Sequence, residues 1–189
     1  GKIEFGDKIY HCWKTKGHGK VDLTKGIVES CDCFFYELAK KIGIDNISIM
    51  AKEFGLGDLT GIEVPSEKNG IVPNKRWKKQ QLNENWYAGE TLITGIGQGY
   101  ILATPLQLAN MAAIIANKGK LIKPTLIKSK ISNDISGTPN KLNISKDNFS
   151  KINIAMEKVV NNASGTAFRS RSNKNDYTFA GKTGTSQVK

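Results

Sequence analysis

Lys182-Thr183-Gly184-Thr185 is the stretch on which the reading of this sequence turns. Residues 177–184 lead into it and read as a strand. Side chains alternate on a strand, so Lys182 and Gly184 are expected on one face and Thr183 and Thr185 on the other. A lysine beside a hydroxyl can grip a carboxylate, and a glycine within a strand lets another backbone come close. A strand edge can also take up an extended peptide through main-chain hydrogen bonds, and one of its N–H groups can serve a developing oxyanion. Taken alone, the four residues also fit an ordinary strand with a glycine in it. A phosphate loop is excluded, because Asp176 stands where that motif needs its first glycine.

The second informative triplet is Ser30-Cys31-Asp32, far earlier in the chain. A serine hydroxyl that relays a proton, with a polar side chain two residues on, fits a short loop between helices. Ser30 or Asp32 equally fits the plain task of capping the helix that follows, and the two roles are compatible. Ser186-Gln187-Val188-Lys189 has the letters Ser-x-x-Lys. That pattern forms a nucleophile only where positions i and i+3 share a face at a helix N-terminus. Ser186 continues the strand instead, so it is not expected to be the nucleophile.

Composition bounds the alternatives. The chain has 189 residues, 39% hydrophobic and 24% charged, so it is globular and forms one domain or part of one. No apolar run reaches the roughly 18 residues of a membrane helix. The formal charge of +11 is spread over lysines that include Lys14, Lys40, Lys75, Lys78, Lys118 and Lys123. A nucleic-acid binder would concentrate that charge on one face, so no nucleic-acid partner is expected. Cys12, Cys31 and Cys33 are an odd set and cannot form a complete disulfide framework.

Along the chain, residues 1–20 read as a loop with a short strand, and 22–29 as a short helix or turn. Residues 32–42 read as a helix that Asp32 could cap, with Phe35, Leu38, Ala39 and Ile42 on one face and Gly43 ending it. A further helix is expected from Asp45-Asn46 to about Phe54. Residues 58–90 look irregular, a length that suggests function or packing over a site. Residues 92–101 carry Gly95, Gly97 and Gly99; a dinucleotide loop is not favoured, and a loop packed beside the active site is. Thr104-Pro105 opens the clearest helix, to Asn117, and Gly119 ends it. Residues 121–131 alternate weakly as a strand, 132–143 are turn-rich, and Ser145 opens a helix to about Val160.

Read together with their neighbours, these pieces resemble the class B penicillin-binding proteins, most of all their penicillin-binding protein 2 branch. The resemblance rests on Cys12-Trp13-Lys14, Gly17-His18-Gly19, Glu29-Ser30-Cys31-Asp32, Phe34-Phe35-Tyr36 and Leu38-Ala39. It continues in Phe54-Gly55, Thr60-Gly61-Ile62, Trp86-Tyr87, the run from Gly95 to Tyr100, and Ala103-Thr104-Pro105. Gly165-Thr166-Ala167 and the run from Gly181 to Val188 complete it, in family order over nearly the whole chain. Asp32 stands at the third place of the Ser-x-Asn motif, which is typical of this branch.

The resemblance implies an α+β fold of the transpeptidase and serine β-lactamase type, here a helical subdomain plus part of an antiparallel sheet. It implies a D,D-transpeptidase that crosslinks peptidoglycan during elongation through an acyl-enzyme and is a target of β-lactams. Ser30 would relay protons with the lysine of a Ser-x-x-Lys motif upstream of this chain, and Asp32 would help place the substrate. Lys182 and Thr183 would hold the terminal carboxylate of a D-Ala-D-Ala stem peptide, next to Gly184, and the backbone at Thr185 would line the oxyanion hole. The chain is expected to be an internal piece of one transpeptidase domain, unable to acylate or crosslink alone. A single membrane anchor outside it would hold the catalytic domain in the periplasm of a bacterial inner membrane, beside an elongation glycosyltransferase.

Cys12, His18 and Cys31 lie six and thirteen residues apart and are soft ligands suited to zinc, but in no finger or ribbon pattern. From spacing alone, a buried cysteine, a loop histidine and an incidental cysteine explain them as well. The resemblance implies a zinc site beside the active site, with Cys12 where the family has an aspartate and the remaining ligand just before Gly1. His11 could compete, and Cys33 is expected to pack in the core. No organic cofactor is expected. Other readings stay open: a non-catalytic penicillin-recognising sensor, a zinc-stabilised basic module, or a β-lactamase with Glu63 or Glu67 as its deacylating group.

Overall fold

The computed structural model describes residues 1–127, 141–172 and 177–186. It is an α+β arrangement in which helices dominate. A hairpin opens the chain: β1 (Lys2–Phe5) pairs antiparallel with β2 (Lys8–His11), with Ile3 opposite Tyr10. Two strands thus form where one was expected, and the Tyr10 ring of β2 meets Tyr36 edge-on at 5.6 Å between centroids.

Helix α1 (Leu23–Val28) starts at Asp22, whose carboxylate accepts the Lys25 N–H at 2.8 Å. Helix α2 (Asp32–Ile42) follows after only three residues and ends at Gly43, whose φ of 79° suits glycine. Its cap position is Cys31, so Asp32 is the first helical residue and caps no N–H of α2. The Asp32 carboxylate instead accepts the backbone N–H of Trp13 at 2.9 Å, a tertiary partner that outcompetes the local one. The buried face of α2 is centred on Tyr36 and Ala39, and Ile42 is exposed. Helix α3 (Ile44–Glu53) begins directly at Gly43, one residue before the expected Asp45.

Residues 58–90 are less irregular than their composition suggests. They contain helix α4 (Lys75–Leu82), capped by Asn74 through the Trp77 N–H at 2.7 Å, and the first residues of α5 (Ala88–Gly95). Helix α4 has no apolar stripe, and this hides it from a periodicity reading. Lys78, expected among the dispersed surface lysines, is 1% exposed. Its ammonium donates to Glu90 at 2.5 Å, pairs with Glu84 at 3.2 Å and lies over the rings of Tyr87 and Tyr100. Burial opposes its charge, but the two carboxylates more than offset that and raise its pKa.

Helix α6 (Pro105–Ala116) begins with a reciprocal cap between Thr104 and Gln107. The fully buried Gln107 amide also donates to the carbonyls of Asp58 and Asn69, at 2.7 and 2.9 Å, and so pins the loop before α4. Helix α7 (Lys146–Asn161) starts at Ser145, which accepts the Asn148 N–H. The core beneath the site joins Ile27 of α1, Ala155 and Val159 of α7, and the half-buried Phe35 of α2. A second cluster packs Ile114 of α6 against Phe149 of α7. Each fully buried Ile or Leu contributes about 1.5–3 kcal/mol.

Two expected strands are absent. Residues 121–127 form none, and the remainder of that segment, with most of the turn-rich 132–143, lies outside the described residues. Residues 177–184 also form no strand, because no ladder partner lies beside them among the described residues. They are tied down singly, by the Gly181 N–H to Met156 at 3.1 Å and by the Asn161 amide to the Phe179 carbonyl at 3.0 Å.

Candidate active site

Ser30 occupies the sharp turn between α1 and α2, at a φ of 51°. That left-handed conformation costs a non-glycine residue about 1–3 kcal/mol and must be imposed from outside. The Trp13 indole supplies part of the hold, since its N–H is shared between the carbonyls of Glu29 at 3.1 Å and Ser30 at 2.8 Å. The Cys31 N–H, bonded to Gly26 at 3.0 Å, closes the turn from below.

Lys182 reaches this turn. Its Nζ donates to Ser30 Oγ at 2.6 Å and to Thr183 Oγ1 at 3.2 Å. Lys182 and Thr183 therefore converge on one point rather than facing apart, because the segment is not a pleated strand. Thr166, from the turn after α7, is 2.9 Å from Thr183 and 3.3 Å from Ser30. Gly165 positions it: a Cβ there would lie 2.2 Å from the Val159 carbonyl, so only glycine passes. The Thr166 N–H then bonds to Val28 of α1 at 3.2 Å. Across the site the Gln98 amide donates to the Thr185 carbonyl at 2.9 Å. Gly97 and Gly99 flank Gln98 at φ of 76° and 85°, so the glycine run packs beside the site as expected, but its first part, Leu92 to Gly95, is the last turn of α5 rather than loop.

These side chains line an open pocket of about 780 Å³, within the size range of small-molecule and peptide sites. Trp13 and Phe35 form apolar wall, and Asp32 is the carboxylate at its edge. Lys182 is exposed at the rim, yet crowding around its Nζ lowers its pKa by desolvation, with Asp32 acting the other way. An ammonium and three hydroxyls, with Asp32 the one carboxylate among the described lining residues, form a trap for an anionic group. Glu63 and Glu67 lie outside the pocket: Glu67 accepts the Thr60 hydroxyl and N–H, and Glu63 lies 3.9 Å from Lys123.

Behind this pocket Cys12, His18 and Cys31 come together, all buried, with their donor atoms within 4.8 Å of one another. Cys12 Sγ lies 3.5 Å from His18 Nδ1. Zinc bonds of about 2.0–2.3 Å set tetrahedral ligand atoms roughly 3.3–3.8 Å apart, so the two thiols and the imidazole suit the ion in kind, and the Cys12–His18 pair already has that spacing. Burial raises the Cys31 thiol pKa and lowers that of the His18 imidazole. His11 is exposed and takes no part, and Cys33 is half-buried on α2.

The structure thus brings Ser30, Asp32, Lys182, Thr183, Gly184 and Thr185 to one pocket, with Cys12, His18 and Cys31 behind it. Sequence reasoning missed Thr166, Trp13 and Gln98 as members. All three stood in runs already singled out, but nothing local marks a turn hydroxyl, an exposed indole or a loop amide as part of a site.

The penicillin-binding protein transpeptidase domain matches residues 1–189, the full length of the chain. This chain belongs to that family. The peptidoglycan D,D-transpeptidase MrdA of Salmonella typhimurium is 38% identical over 186 residues, covering 95% of this chain and 30% of the relative. The crystal structure of Pseudomonas aeruginosa PBP2 in complex with WCK 5153 superposes with a TM-score of 0.90 at 37% identity, over 100% of this chain and 44% of that one. PBP2 of Helicobacter pylori in its complex with MreC gives 0.87 at 37% identity, over 99% and 34%. Within the transpeptidase family the chain is therefore similar to the penicillin-binding protein 2 branch, in fold as in sequence. It spans about a third of the length of the curated relatives it matches.

Proposed function

We propose that the protein carrying this chain is a serine-type D,D-transpeptidase that crosslinks peptidoglycan stem peptides and is acylated by β-lactams. The observation that carries this reading is the 2.6 Å contact of Lys182 Nζ with Ser30 Oγ, beside Thr183. The ammonium and the Thr183 hydroxyl hold the terminal carboxylate of a D-Ala-D-Ala peptide, or the carboxylate of a β-lactam, by charge-assisted hydrogen bonds. That fixes the scissile carbonyl over Thr185, where main-chain donors meet the oxyanion. Ser30 accepts the Lys182 ammonium at Oγ, which leaves its own hydroxyl proton to pass to or from the lysine of the Ser-x-x-Lys motif. Asp32 holds the Trp13 end of the wall and keeps the field around Lys182 favourable to its charge. The nucleophile is assigned to a Ser-x-x-Lys helix turn of the longer protein.

Zinc is proposed on Cys12, His18 and Cys31, supported by the buried donor cluster. When bound it supplies a structural crosslink between the loop after β2 and the Ser30 turn. The periplasmic face of an inner membrane, a single anchor and a glycosyltransferase partner belong to the same reading. The Helicobacter relative's complex with MreC supports an elongation assembly.

The test is fluorescent-penicillin labelling of the longer protein. Lys182→Ala is expected to slow acylation about 100-fold or more, the scale of losing one electrostatic contact to the reacting group. Labelling at the unaltered rate would remove Lys182 from the site and sink the reading.

A further inference from the structure

His18 Nε2 is the one buried side-chain nitrogen or oxygen among the described residues without a hydrogen-bond partner. The side chain is fully buried, so water does not serve it. Its other nitrogen, Nδ1, faces the Cys12 thiol at 3.5 Å. The Glu29 carboxylate oxygen Oε2 lies 3.9 Å from Nε2. The same oxygen lies 3.9 Å from Lys14 Nζ, and the Glu29 side chain is only 16% exposed.

A ligating imidazole must present a bare nitrogen to the ion, so its proton must stay on the other nitrogen. Carboxylates that accept this outer N–H fix the tautomer and the ring's angle, and raise the ring's basicity. We propose that Glu29 is the positioning carboxylate of the metal centre: it accepts the His18 Nε2–H and so leaves Nδ1 free to bind the ion. This rests on the zinc reading above. Glu29 is not itself a ligand, since its oxygens lie outside the cluster that Cys12, His18 and Cys31 form. Closing from 3.9 Å to hydrogen-bond distance needs a shift of about 1 Å. Glu29 also precedes Ser30, and its carbonyl accepts the Trp13 indole N–H at 3.1 Å. A carboxylate drawn toward His18 therefore tightens the peptide that leads into the catalytic turn.

The experiment uses the longer protein that carries this chain. Affinity for cobalt(II) and zinc is measured by competition with a chromophoric chelator, and the cobalt spectrum reports the ligands. Glu29→Ala is expected to lower affinity about 10- to 100-fold, the usual cost of losing an outer partner. Glu29→Gln, whose amide oxygen still accepts, is expected to fall between. The sulfur-to-cobalt charge-transfer bands are expected to be unchanged in energy. Nitrogen-15 shifts of His18 read the tautomer separately, as the Nε2–H form in the unaltered chain and a mixture in Glu29→Ala. Equal affinity in all three chains would overturn the proposal, as would a change of ligand number in the cobalt spectrum of Glu29→Gln. An unaltered chain that binds neither metal would fail the zinc reading first, and a mixed tautomer there would overturn the role of Glu29 as well.

Discussion

In the proposed capture of a carboxylate by the longer protein Lys182 must be positive, yet desolvation lowers its pKa and Asp32 works against that loss. The protonated form is the binding form, so capture is present at neutral pH and falls as pH rises through the lowered pKa. The alkaline limb of the acylation profile is therefore expected at lower pH than a free lysine would give. Asp32→Asn removes the group that raises the pKa and should move that limb lower still. A pH series of second-order acylation constants for both proteins checks this, and coincident limbs would contradict it. Thr166 makes a second case. Thr166→Val deletes a hydroxyl that bonds Thr183 and Ser30. A lost hydrogen bond of about 0.5–1.5 kcal/mol corresponds to about a two- to tenfold slower acylation. The melting temperature should hold, because the site is exposed; a large fall in it would make Thr166 structural instead.

At the scale of elements, α2 and α5 decide how the pocket is walled. Gly95 at the end of α5 lies so near α2 that an added Cβ would sit 2.4 Å from Ala39 Cβ and 3.2 Å from the Phe35 carbonyl. Gly95→Ala should push the two helices apart and cost about 1–3 kcal/mol, as overpacking does. Adding Ala39→Gly returns the space and should recover part of the loss, less roughly 1 kcal/mol for a glycine within a helix. Thermal unfolding of the three variants reads this, and additive losses would mean that the helices are not in tight contact. The loop before α4 responds to pH through Glu67. The Thr60 hydroxyl bond lowers its pKa, opposed by desolvation, with the Thr60 and Gly61 N–H groups assisting. Its contribution is thus complete above the ordinary carboxylate range and is lost as pH falls through the lowered value. Glu67→Gln should flatten the acid limb of the stability profile, and an unchanged limb would assign it to other groups.

Across the whole molecule, the Cys12, His18 and Cys31 cluster joins the loop after β2 to the turn that carries Ser30. An ion that binds only the folded chain stabilises it by about 2.7 kcal/mol at a hundred times its dissociation constant. Chelation should therefore lower the melting temperature, and Cys31→Ser should abolish that sensitivity. If chelator leaves the unaltered chain's melting unchanged, the crosslink is not part of its stability.

Helices α2, α3, α6 and α7 were legible in the sequence because caps and apolar spacing act within a few residues: Gly43, Thr104-Pro105 and Ser145 mark their ends locally. The site motifs were legible for the same reason, as short runs, and with their neighbours they pointed to the family. Helix α4 was not, because its helicity rests on Asn74 and on a buried Lys78 whose partners Glu84 and Glu90 come later in the chain. The pleated strand read at 177–184 failed because a strand is a relation between segments, and no partner flanks it among the described residues. Local pattern thus determined most helices and named residues that line the pocket. Only the tertiary structure set Lys182 against Ser30 and Thr166, and gathered two thiols and an imidazole within 4.8 Å. Such distances depend on how α1, α2 and α7 pack, and packing is a property of the folded whole.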